Sequence, residues 1–151
     1  MFRHGEIISD DYMRGKDFKN MLPESRQVRS LEDVPKGRGI DGIYSNPKPP
    51  PPYIVTETKF RNAAGEYVDS DGSLTKAKSV GALLGNTQGS RKQMSEKWIK
   101  DRLFKEVGKK QADTIHKSGY ESWLMIVGPD GEVAEIYKLN AKAEVIGTVK
   151  K

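Results

Sequence analysis

The sequence predicts an α/β fold, because apolar residues recur at helical spacing in two parts of the chain and form short strand-like runs elsewhere. Residues 4–22 carry apolar side chains loosely at helical spacing. In residues 91–107, Ile99, Leu103 and Val107 stand at i, i+4 and i+8. Five short runs rich in β-branched and aromatic residues predict strands. The predicted order is therefore helix, two strands, a loop, a helix and three strands.

The N-terminal part predicts one or two short helices, with Gly15 as a weak point. The polar stretch Pro23–Gly37 predicts a connection rather than an element. Next, Gly39–Tyr44 predicts a short strand with Asp41 inside it.

A proline-rich connector separates the first two predicted strands. Ser45–Pro52 predicts a turn followed by stiff extended chain, because consecutive prolines lack amide donors and have a restricted φ. Tyr53–Phe60 has the strongest strand pattern of the sequence. Arg61–Gly72 predicts a loop or short hairpin, and Leu74–Asn86 predicts a mobile basic segment.

The second half predicts a long helix and an antiparallel set of strands. The helix covers Arg91–Val107, Gly108 interrupts it, and a basic helical segment continues over Lys109–Lys117. The strands and their turn follow in order: Trp123–Val127, the turn Pro129–Gly131, Val133–Leu139, and an edge strand Ala143–Val149.

Length, charge and composition limit the classes of protein. With 151 residues the chain predicts one domain with one core. Cysteine is absent, which excludes disulfides, Cys-ligated zinc and a Cys nucleophile. No apolar run approaches the ~20 residues of a membrane span. The beginning of the sequence also fits a domain cut from a larger protein.

The basic charge is concentrated in the middle of the chain. The formal net charge is +5 and the sequence pI is near 9.3. Residues 76–117 hold 11 Lys and Arg against 4 acids, so the remainder is slightly acidic. Such a segment favours a polyanionic partner such as nucleic acid.

Three charged residues in the first two strands suggest chemistry. On a strand, Glu57 and Lys59 point to the same face. If the strand that holds Asp41 pairs with this one, two carboxylates and one amine converge, which suits a divalent cation and a phosphodiester. The alternative is a solvated cross-strand ion pair.

The long helix offers a second polar face. Gln93, Lys97 and Lys100 stand at i, i+4 and i+7 and could lie beside a phosphate chain. His4 and His116 are the only histidines of the sequence, which argues against a two-His RNase mechanism or a His-metal finger nuclease.

Three strings of residues resemble one nuclease superfamily. They are Gly39-Ile-Asp-Gly-Ile-Tyr44, Tyr53-Ile-Val-Thr-Glu-Thr-Lys-Phe60 and Gln93-Met-Ser-Glu-Lys-Trp-Ile-Lys-Asp-Arg-Leu103. The order is similar to the PD-(D/E)XK nucleases, and more narrowly to the DNase toxin domains at the C-termini of bacterial polymorphic toxins (Rhs-type, contact-dependent inhibition and type VI secretion effectors). The resemblance implies a restriction-endonuclease-like α/β sandwich with a central mixed sheet, and one nuclease domain over residues 1–151.

The resemblance also implies roles for the site residues. Asp41 and Glu57 would bind Mg²⁺ or Mn²⁺, with the backbone carbonyl of Thr58 as a further ligand. Lys59 would orient or activate the attacking water and stabilise charge on the phosphorane. Gln93 would touch the water or the scissile phosphate.

Some implied features extend beyond this core. Glu6 is an additional candidate for the metal site, and Thr58 stands where the family commonly has Ala. Nucleic-acid binding is expected from Lys92, Lys97 and Lys100.

The implied function is a DNase toxin that is delivered into the cytoplasm of a competing bacterial cell, with an acidic cognate immunity protein as partner. Three alternatives stay open: the same fold cutting RNA or tRNA, a non-catalytic nucleic-acid-binding module, and an adaptor that uses its proline run.

Overall fold

A computed structural model describes residues 3–23, 40–68, 74, 80, 83–84 and 92–151. Within them the helices are α1 (Arg3–Gly15) and α2 (Glu96–Ser118), and the strands are β1 (Lys19–Asn20), β2 (Gly42–Ser45), β3 (Tyr53–Arg61), β4 (Tyr67–Val68), β5 (Tyr120–Val127), β6 (Val133–Leu139) and β7 (Val145–Thr148). The predicted order of the main elements is confirmed. The predicted connection after Pro23 and the segment Leu74–Asn86 lie almost wholly outside the described residues.

The strands form one mixed sheet in the order β1-β2-β3-β5-β6-β7, and β4 pairs with β3 beside β2. Only the β3–β5 pair is parallel; the other described pairs are antiparallel. The predicted α/β class with a mixed sheet is therefore confirmed. β7 lies at one end of the sheet, as predicted for the last strand.

The two central strands explain why the sheet forms here. β5 pairs with β3 from Tyr53 to Phe60, and six consecutive residues of β5 are buried. A strand covered on both faces needs apolar residues at every position, and the continuous run Trp123–Val127 meets that need. The predicted turn at Pro129–Gly131 joins β5 to its antiparallel partner β6.

Each face of the sheet packs against one helix. On one face, Trp98, Ile99 and Leu103 of α2 join a core cluster with Val55 and Leu124. On the other face, Met13 of α1 joins a second cluster, which includes Ile54, Trp123, Met125, Val127 and Ile136. This arrangement is a helix–sheet–helix sandwich.

In the described part of the chain, neither helix is long and apolar enough to cross a membrane.

α2 begins later than predicted. Ser95 caps it by accepting a hydrogen bond from the Trp98 N–H (3.4 Å), and Met94 before the cap has a φ of +68°. A left-handed residue cannot belong to a right-handed helix. The prediction that the helix starts at Arg91 is therefore wrong, whereas the predicted break at Gly108, where φ is +82°, is confirmed.

Candidate functional site

The candidate site lies at a gap in one edge of β3. On this edge β2 pairs with residues 53–56 of β3, and β4 pairs with Phe60 and Arg61. Among the described residues no strand pairs with residues 57–59 here. Asp41, directly before β2, fills the gap, because its Oδ2 accepts a hydrogen bond from the Thr58 N–H at 2.9 Å. A side-chain carboxylate thus replaces a missing strand.

Asp41 is not inside a strand, contrary to the prediction. β2 starts only at Gly42, whose Cα lies opposite that of Thr56. A Cβ at Gly42 would stand 2.3 Å from the Thr56 Oγ1 and 2.6 Å from the Tyr44 Cε2. A side chain at position 42 would therefore overlap those of Thr56 and Tyr44, and glycine avoids this overlap directly after Asp41.

The structure brings Asp41, Glu57 and Lys59 together. Val55 packs against α2. Glu57 and Lys59 follow it at i+2 and i+4 of the same strand, so both point to the α2 face. Glu57 is only 4% exposed. Its Oε2 lies 3.8 Å from the Lys59 Nζ. The ion pair is buried, not solvated as the alternative interpretation required.

Burial raises the pKa of both carboxyl groups of the site. The pKa of Glu57 is well above its usual value, first because the group is buried and then because of the Asp41 charge; Lys59 opposes the shift. Burial also raises the pKa of Asp41, although the Thr58 N–H lowers it. One lysine therefore does not neutralise the pair, and the pair retains a proton above the usual carboxyl range.

A third carboxyl group, that of Glu6, reaches the gap from the other face. α1 packs there, since the Thr58 Oγ1 donates a hydrogen bond to the Ser9 Oγ at 2.9 Å. Glu6 forms a side-chain hydrogen bond with Asp41, and its charge also raises the pKa of Glu57. The predicted additional residue is therefore in contact with the site.

Gln93 does not lie where the sequence suggested. It stands in a turn before α2, so the stripe that it was expected to form with Lys97 and Lys100 does not exist. The first turn of α2 is held elsewhere, by the Glu96 N–H donating to the Ala141 carbonyl at 2.8 Å. In the described part of the chain no hydrogen bond joins Gln93 to the carboxyl groups.

The three predicted nucleic-acid-binding lysines stand outside this cluster. Lys97 and Lys100 are exposed on α2, and Lys92 is partly buried before it. None of them forms an ion pair with Asp41 or Glu57 among the described contacts.

The donor chemistry of the site fits a hard divalent cation. Its groups are carboxylate oxygens, and the Glu57 Oε1 is buried without a hydrogen-bond partner. Within the described residues no group of three or more His, Asp or Glu side chains is placed so that it could hold a metal ion. Mg²⁺ does not require three such ligands, because it commonly takes one or two carboxylates and completes its shell with water and substrate phosphate.

A second polar network lies on the same face, and sequence reasoning missed it. Lys59 pairs with Ile126, which pairs with Glu135. Glu135 forms an ion pair with the Arg61 Nη1 at 2.5 Å and accepts a hydrogen bond from the Tyr137 hydroxyl. That hydrogen bond raises the pKa of Tyr137 to about 12 and lowers that of Glu135. The alternation of Glu135 and Tyr137 in β6 was the available signal.

Comparison with known proteins gives no relative: no protein-family model, no curated protein and no solved structure matches the chain.

Proposed function

We propose that this protein is a metal-dependent nuclease of the PD-(D/E)XK type that cuts DNA. The observation that carries the proposal is the cluster of Asp41, Lys59 and the buried Glu57 at the gap in β3, with the Glu57 Oε1 unpartnered. A buried acceptor without a partner destabilises a fold by about 1–3 kcal/mol. A bound cation would offset that destabilisation, because the unpartnered oxygen could coordinate it.

Each residue has a role that its position supports. Asp41 and Glu57 would hold Mg²⁺ or Mn²⁺, with Glu6 adjacent and the Thr58 carbonyl as a further ligand. The bound ion supplies positive charge to the oxygens of the scissile phosphate. Lys59, held beside Glu57, would donate a hydrogen bond to the attacking water and keep it in line with the phosphorus. Burial excludes bulk water and strengthens these interactions.

The choice of substrate rests on charge. α2 carries seven Lys and Arg against four acids, and Lys97 and Lys100 are exposed on it. Such a surface holds a phosphate backbone without reading its sequence. DNA is the proposed substrate, and RNA, including tRNA, is the alternative with the same chemistry.

The biological setting follows from the resemblance of the motifs to toxin domains. We propose a delivered effector that acts in the cytoplasm of a competing cell. An acidic immunity protein would cover the basic surface or the site.

One observation favours a second candidate, a nucleic-acid-binding module without catalysis. The 3.8 Å ion pair between Glu57 and Lys59 satisfies both charges in part without any metal. In this alternative the cluster is structural and the basic surface of α2 carries the function.

Cleavage assays test the proposal and its alternatives. Supercoiled plasmid and total tRNA are each incubated with the protein in Mg²⁺ or in EDTA, and with Glu57→Gln, Lys59→Met and the control Glu132→Gln, whose residue is exposed. We expect Mg²⁺-dependent loss of plasmid, reduced about 100-fold or more by either site variant and unaffected in the control. Cleavage of tRNA alone would establish the RNase. Binding without cleavage of either would establish the binding module.

A further inference from the structure

α2 carries two buried hydrogen-bond donors that have no acceptor. Trp98 is 3% exposed, and its Nε1 is buried without a partner. One turn later, the Arg102 Nε is buried without a partner as well. The two side chains are in contact, since the Arg102 Cζ lies 5.3 Å from the centroid of the Trp98 ring. The i, i+4 spacing places both donors on one side of the helix.

This pair of groups consists of donors only. Neither the indole nor the guanidinium offers an acceptor, and Arg remains charged at any ordinary pH. In the described part of the chain no carboxylate forms an ion pair with Arg102. A water molecule would serve as an acceptor but would leave the charge of the guanidinium uncompensated. An oxyanion is an acceptor that also neutralises the guanidinium.

We propose that Trp98 and Arg102 bind a phosphate oxyanion, and that in the complex this is a backbone phosphate of the nucleic acid other than the scissile one. Arg102 is partly exposed, which gives an anion a route to the pair. α2 packs on the face of β3 that carries Glu57, so the phosphate and the proposed site share one side of the sheet. The identification of the anion as a nucleic-acid phosphate rests on the proposed function.

Binding assays in EDTA test this site without requiring cleavage. A short labelled DNA duplex is titrated with the wild type, Trp98→Phe, Arg102→Gln and the control Lys105→Gln, which removes one exposed positive charge from the same helix. We expect Arg102→Gln to weaken binding by about tenfold or more and Trp98→Phe by about threefold to tenfold. The control should lose about twofold to threefold, as an exposed charge does.

Inorganic phosphate provides a second measurement that a merely structural role would not affect. It should raise the melting temperature of the wild type and of Lys105→Gln, but not of Arg102→Gln. Without phosphate, Trp98→Phe should melt only a few degrees lower than the wild type, because Phe keeps an aromatic ring in the core and the loss of an unpartnered donor offsets part of the cost of the smaller side chain.

The outcomes separate this proposal from the nuclease proposal. Equal losses in Arg102→Gln and Lys105→Gln, with wild-type binding by Trp98→Phe, would overturn the site. Stabilisation by phosphate with unchanged duplex binding would overturn the backbone assignment and leave the free anion as ligand. A protein that binds DNA through these residues and never cleaves it would retain this site and refute the nuclease.

Discussion

At the scale of single residues, the site brings together two carboxyl groups whose pKa values are raised. Asp41 is held beside Glu57 by the hydrogen bond that its side chain accepts from the Thr58 N–H, and Glu6 approaches from α1. Lys59 offers one positive charge at 3.8 Å. Burial is the first cause of the raised pKa of both groups, and for Glu57 the charge of Asp41 adds to it. A divalent cation would take the place of the retained proton, so metal binding should release protons.

Glu57→Gln should stabilise the metal-free protein, and more so as the pH rises. The raised pKa means that the folded protein keeps a proton that the unfolded chain loses above the usual pKa of 4.5. The wild type therefore loses stability as the pH rises from there to the raised value, and the loss persists above it. In EDTA at neutral pH the variant should melt at least about 2 °C higher.

The measurement is a series of thermal melts in EDTA from acid to neutral pH, with Glu132→Gln as the exposed control. Near pH 4 the two proteins should melt alike. Saturating Mg²⁺ should reduce the difference at neutral pH by stabilising only the wild type. A difference that is constant with pH would contradict this origin of the effect.

At the scale of elements, the site depends on where β2 begins. The strand starts at Gly42, where a Cβ would overlap the side chains of Thr56 in β3 and Tyr44 in β2. The gap at residues 57–59 of β3 lies between this start and Val68, the last residue of β4, which pairs with Phe60. The carboxylate of Asp41 then pairs with the Thr58 N–H. Local sequence gave no sign of this gap.

Gly42→Ala should destabilise the fold by about 1–3 kcal/mol, because the added methyl group would overlap Thr56 and Tyr44. The same change at Gly147 is the control, since no heavy atom lies within 4 Å of a Cβ there, and it should change stability by less than about 0.5 kcal/mol. Urea unfolding compares the two. Equal stabilities would show that the strands can separate at this point without loss.

At the scale of the whole molecule, charge is distributed unevenly. Residues 76–117 hold 11 basic and 4 acidic residues, and the part of this range that the structure describes is dominated by α2. α2 covers the face of the sheet that carries Glu57. A polyanion attracted to the helix is therefore directed to the side of the molecule that holds the proposed site.

Nucleic-acid binding should weaken steeply with salt, and Lys97 and Lys100 should account for part of the slope. Replacing both by Gln should reduce the slope of log K against log salt by roughly 2, one for each lost phosphate contact. The matched control is Lys142→Gln with Lys150→Gln, which removes the same charge from exposed positions near β7. Duplex titrations at several salt concentrations give the slopes. Equal slopes for the two double variants would contradict a local role for α2.

The main elements could be predicted from the sequence because their signals are local. Three features depend only on neighbours within a few residues: the continuous apolar run of β5, the interruption at Gly108, and the i, i+2 spacing of Glu57 and Lys59. The start of α2 was predicted wrongly because the left-handed Met94 carries no signal in its residue type. Gln93 was wrongly predicted to lie on the helix for the same reason.

Local patterns thus suffice for the α/β class, the strand that carries Glu57 and Lys59, and the basic helix. Tertiary structure decided that Asp41 fills a gap in β3, that Glu6 reaches it from α1, and that Gln93 stands in a turn before α2 rather than on the helix. The reason is physical. Side-chain periodicity is a property of a short segment, whereas the gap arises from the pairing of strands that are joined by longer connections and from a helix packed on the opposite face.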